Sequence, residues 1–217
     1  MKLPNLFLAL LVMFALPVQA ATVSVSVTSL NGPCYTTSTG AFLDPGSVIR
    51  VGYFSAGNLA TFQTSNDYAA LDSLFTPLAE GIVGSGTISQ IDHNSNLVTG
   101  NQLVINNFFG NTGHIFGSIE NVAFGAVPIG TDLYVWVFNS ATPASASEWG
   151  IFGSSLWEFP DSSTLPANES LASIDVDNFV RGQHVLPQNE LRLSAVPEPG
   201  SLLLLVGAVA ALRRRRR

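Results

Sequence analysis

The chain has 217 residues, 47% of them hydrophobic and only 11% charged, with nine Lys and Arg against fifteen Asp and Glu. Six of the nine cations sit at the two ends, so residues 21–196 hold three arginines (Arg50, Arg181 and Arg192), no lysine and fourteen acids, a net charge of about −11. That balance excludes nucleic acid as a partner, because phosphate contacts need clustered Lys and Arg. It suits solubility in an external milieu or weak cation binding instead.

The N-terminus reads MKLPNLFLALLVMFALPVQA. Lys2 supplies a positive start, an apolar run follows, and Val18 and Ala20 place small residues where a signal peptidase reads them. Residues 1–20 are therefore expected to be a signal peptide cleaved after Ala20. The apolar run is too short for the roughly 20 residues that a bilayer-spanning helix requires.

Residues 21–29 alternate strictly and predict a half-buried strand. Cys34 is the only cysteine, so no intramolecular disulfide can form and the core must carry stability. A lone cysteine packs as a small hydrophobe or reacts as a free thiol, and packing is the preferred reading here. Asp44-Pro45-Gly46 is a turn, and a second strand is expected over 47–54.

From residue 66 to 80 the pattern changes. Leu71, Leu74, Phe75 and Leu78 fall on one helical face, with Ser65 or Asn66 as N-cap and Gly81 as stop. Pro77 is expected to end or kink that helix. Further strands are expected over 86–91, 101–107, 114–123 and 132–139, the last dense in β-branched and aromatic residues. Late candidates are 148–152, 173–176 and 191–195. No repeat of 20 to 50 residues is present, which removes solenoids and propellers. The fold class is all-β: a single sandwich or jelly-roll-like domain over 21–195 with one short helix.

Chemistry-bearing patterns are sparse. His93, His114 and His184 show no ligand spacing, and no HExxH, GxSxG, Walker A or GxGxxG motif occurs in the body. On a strand, Asp175 and Asp177 would project from one face about 7 Å apart. With the Asn178 carbonyl they make a weak calcium candidate. Glu148, Glu158 and Asp161 can be drawn as glycosidase-type carboxylates, but spacing in sequence says nothing about the gap that chemistry needs. No cofactor, no metal and no enzymatic activity are expected. Trp149 and Trp157 form part of the core or, if exposed, a face on which sugar rings stack. Asn168-Glu169-Ser170 matches a glycosylation acceptor, weak evidence in this setting.

The C-terminus reads Val196-Pro197-Glu198-Pro199-Gly200, then the apolar stretch 201–212, then Arg213, Arg214, Arg215, Arg216 and Arg217. Twelve helical residues cover only about 18 Å, short of a hydrocarbon core of about 30 Å. Snorkelling of Arg213 relieves part of that mismatch. The arginines hold their end in the cytoplasm, so the body is expected outside. The two prolines keep the tripeptide extended beside the membrane.

This order resembles the PEP-CTERM sorting signal, over residues 196–217. The resemblance implies that Pro197, Glu198 and Pro199 are the recognition tripeptide. It makes 201–212 a transient transmembrane helix and Arg213 to Arg217 the stop-transfer block. Implied partners are signal peptidase, a membrane-embedded exosortase, the inner membrane in passing, and an exopolysaccharide matrix. The implied destination is the cell surface or extracellular matrix, with a structural or adhesive role in biofilm; a carbohydrate-binding module using Trp149 and Trp157 is the alternative. Residues 133–160 also resemble a stretch recurring in such proteins without an assigned activity.

Overall fold

A strand of seven residues, Asp132–Phe138, runs through the middle of the molecule and is buried on both faces beyond its first residue. Its sequence explains this: DLYVWVF has β-branched or aromatic side chains at nearly every position, so neither face suits water. In the computed structural model, residues 22–29, 31–54, 67–83, 88–91, 97–98, 115–123, 127–161 and 167–196 are described. The signal segment with Ala20, the tripeptide, the tail helix, the arginine block, His93, His114 and the strand expected over 101–107 lie outside the described residues.

In chain order the elements are β1 (Thr22–Thr28), β2 (Cys34–Thr36), β3 (Val48–Phe54), helix α1 (Tyr68–Asp72), β4 (Phe75–Ile82), β5 (Ile88–Ile91), β6 (Leu97–Val98) and β7 (Phe116–Ala123). They continue with β8 (Asp132–Phe138), β9 (Glu148–Glu158), β10 (Ala167–Ala172), β11 (Asn178–Arg181), β12 (Gln183–Val185), β13 (Glu190–Arg192) and β14 (Ser194–Ala195). Among the described residues the fold is all-β with one short α-helix. The largest sheet has the order β11-β9-β8-β3-β4-β5-β6, with β14 also on β9. Two three-stranded sheets, β10-β1-β7 and β12-β13-β2, accompany it among the described residues.

The sheets meet through an aliphatic core. Val23, Val25 and Val27 of β1 are fully buried, as the alternation predicts. They join Ile49 and Val51 of β3 with Leu133, Val135 and Val137 of β8 in one cluster. The other side chains of β8, Tyr134, Trp136 and Phe138, enter a second, aromatic cluster with Phe54, Phe75, Trp149 and Leu71 of α1. Arg50 ties α1 to the sheet, donating to Asp72 at 2.7 Å and to Glu80 at 2.6 Å.

Three expectations need correction. The helix expected over 66–80 stops after Asp72, and its N-cap is Asp67, whose carboxylate accepts from the Ala70 N–H at 3.1 Å. From Phe75 the chain is strand, paired along β3 from Phe54↔Phe75 to Val48↔Ile82. Pro77 has no N–H for a helix and sits at the β4 bulge opposite Gly52, a site a strand tolerates. A Cβ on Gly52 would strike the Thr76 carbonyl and the Phe75 ring.

Residues 173–175 form a 3-10 turn rather than a strand. Just beyond it the Asp177 carboxylate takes the Ser155 N–H and hydroxyl, an alternative to strand pairing, and β11 begins only at Asn178. The strand expected over 191–195 is two: β13 pairs with β2 and β12, whereas β14 crosses to β9, with Leu193 buried between them.

Candidate functional site

The β8–β9 hairpin carries all three tryptophans, and none of them faces water. Trp149 is 1% exposed and Trp157 is 0% exposed. They also face opposite sides. Eight residues apart on a regular strand they would share a face, but the register slips between the pairs Tyr134↔Gly153 and Asp132↔Glu158. That slip sends Trp157 into the aliphatic core and leaves Trp149 in the aromatic one. The sugar-stacking face built on this pair is therefore withdrawn, because a stacking platform must be exposed and coplanar.

Two arginines bound the aromatic cluster. Trp149 meets Trp136 edge-on at 5.7 Å, Trp136 stands 4.9 Å from Phe138, and Arg50 lies 5.6 Å over Phe138. At the other end the Arg181 guanidinium lies 4.1 Å over the Trp149 ring. Stacking on an indole suits the flat, weakly hydrated guanidinium. Burial lowers the Arg181 pKa from its ordinary value.

Arg181 also reaches the end of the fold. Its Nη2 donates to the Ala195 carbonyl at 2.8 Å. β14 lies against the first residues of β9, with pairs Ser194↔Trp149 and Ala195↔Glu148. The next residue, Val196, donates its N–H to the Ser147 carbonyl at 2.8 Å and packs against the aromatic cluster. β11 occupies the same edge of β9 further along, at Ile151 to Gly153. The chain is thus held to the sheet up to the residue before Pro197.

Three of the remaining candidates, Asp177, Glu148 and His184, have side-chain partners. Asp177 is exposed and held by Ser155, whose two hydrogen bonds lower its pKa. Asp175 belongs to the 3-10 turn, so the two carboxylates do not share a strand face. Among the described residues no group of three or more His, Cys, Asp or Glu is placed to hold a metal ion. Glu148 accepts from the Ser38 N–H and hydroxyl, both at 2.7 Å, and so fastens the segment after β2 to β9. His184 is paired with Asn189 at 3.3 Å. Asn168-Glu169-Ser170 lies within β10. Burial, reinforced by the charge of Glu158, pushes the Glu169 carboxyl up to about 7. Cys34 is buried, and burial followed by the charge of Glu190 raises its thiol pKa.

No protein family, curated protein or solved structure matches the chain. The residues that define the C-terminal exit, Arg181, Trp149 and Val196, were not singled out together by sequence. The one available signal was the scarcity of cations: an arginine kept in so acidic a body has a partner to serve.

Proposed function

We propose that this chain is an exported protein of the cell surface or extracellular matrix, delivered through a PEP-CTERM signal, whose sandwich-like β-domain serves a structural or adhesive role. The observation that carries this reading is the order Pro197-Glu198-Pro199, apolar 201–212, Arg213 to Arg217, combined with the signal-like residues 1–20. Both ends independently support a body outside the inner membrane. A body at about −11 with no lysine suits an external, hydrated matrix.

The reading is non-catalytic. Glu148 serves Ser38, and the tryptophans serve the core. Signal peptidase and an exosortase are the processing partners, and exopolysaccharide is the surrounding material. No helix among the described residues is long and apolar enough to cross a membrane; the transient anchor of this reading is 201–212.

Replacing Pro197, Glu198 and Pro199 with alanine tests the proposal. The full-length chain should then accumulate in the inner membrane. Unchanged release would overturn the sorting assignment.

A further inference from the structure

We propose that Arg181 and β14 form a clasp that gates removal of the C-terminal tail. This rests on the sorting reading above and adds a regulatory step to it.

The geometry is specific. In an antiparallel pair, alternate residues turn their N–H and C=O toward the partner strand. Val196 gives its N–H to Ser147, and Ser194 stands opposite Trp149 two residues earlier, so the backbone of Ala195 faces away from β9. Its carbonyl is the one Arg181 takes. Arg181 in turn is fixed by its stack on Trp149. Residues 194–196 are therefore held from both sides, by β9 and by a guanidinium anchored in the core.

A protease cleft accepts extended backbone whose hydrogen-bonding groups are free, as in strand addition to an enzyme's edge. Upstream of Pro197 that backbone is already paired. From Val196 to Ser201 the chain spans at most about 18 Å, so the folded domain itself sits against any membrane-embedded processing enzyme. For the cleft to hold both sides of the tripeptide, β14 must leave β9. The strand is only two residues long, so its release is a local opening that takes only the partly buried Val196 side chain from the edge of the aromatic cluster. Arg181 is a positioning residue in this step: it sets how often the opening occurs.

The test uses the full chain in its own host, followed by pulse-chase of tail removal, with hydrogen exchange on the purified chain. Arg181→Ala removes a charge-assisted hydrogen bond, so exchange at the amides of Ser194 and Val196, the two turned toward β9, should quicken by about 10-fold or more. Tail removal should quicken with it. Arg181→Lys keeps the charge but loses the flat stack and should fall between. A Gly-Ser-Gly-Ser insertion between Val196 and Pro197 leaves Arg181 untouched. It should quicken tail removal to the same rate in the wild-type and Arg181→Ala backgrounds. The insertion also keeps the test decisive if Arg181→Ala fails to fold.

Quicker exchange with unchanged tail removal, or an insertion without effect, would overturn the gate. If alanines at Pro197, Glu198 and Pro199 still block release in either case, the sorting reading survives that failure. Release despite those alanines would sink the sorting reading itself, whatever Arg181 does.

Discussion

The Arg181 guanidinium lies 4.1 Å over the Trp149 ring and donates to the Ala195 carbonyl at 2.8 Å, joining the aromatic core to the last strand of the domain. One cation in a body with only three thus serves both packing and the C-terminal exit. Losing the stack and a charged hydrogen bond together should make Arg181→Ala about 2–4 kcal/mol less stable. Urea unfolding measures this, and Arg181→Lys should recover only part of the loss.

Trp157 is fully buried in the aliphatic core. Trp157→Ala should therefore cost about 3–5 kcal/mol, the usual range for emptying a tryptophan site. An unchanged unfolding midpoint would mean that the side chain faces solvent, and the sugar-stacking role would return.

Glu169 links stability to pH. Its folded pKa of about 7 stands above the ordinary 4.5, from burial first and Glu158 second. Between those values the folded chain keeps a proton that the unfolded chain has released. This contribution to stability is full below about 4.5 and is lost as pH rises through about 7. Wild type should lose stability from pH 5 to pH 8 more steeply than Glu169→Gln does. Equal slopes in urea titrations of the two proteins would contradict the assignment.

Cys34 is buried and its thiol pKa is raised, so little reactive thiolate is available. Maleimide labelling of the native protein at neutral pH should be slow and should accelerate sharply in urea. Rapid labelling without denaturant would show an accessible, reactive thiol.

Asp175 and Asp177 hold no shared strand face, and Asp177 is occupied by Ser155. Chelating divalent ions should accordingly leave the melting temperature unchanged. A drop of several degrees would reveal a cation site involving them.

Local patterning made β1, β3, β7 and β8 legible, because alternation or dense β-branched and aromatic residues leave few other solutions. It misled at Leu71, Leu74, Phe75 and Leu78. There a helical spacing spans two elements, and the pairing edge of β3 decides the second half. It misled again at 173–176, where a side chain, Asp177, competes with the ladder. The site was harder still. The slip in β9 that separates Trp149 from Trp157 leaves no mark in their spacing, and Arg181 meets Trp149 only through tertiary pairing. The proposed sorting tripeptide, Pro197-Glu198-Pro199, is the reverse case: it rests on sequence alone and lies outside the described residues.

The central claim is sorting by removal of both ends, and intact mass of the protein recovered from surface and inner-membrane fractions of its own host tests it most directly. A surface species that starts at Ala21 and ends near Pro197 is the predicted result. A surface species still carrying Arg213 to Arg217 would make the tail a lasting anchor and contradict the account.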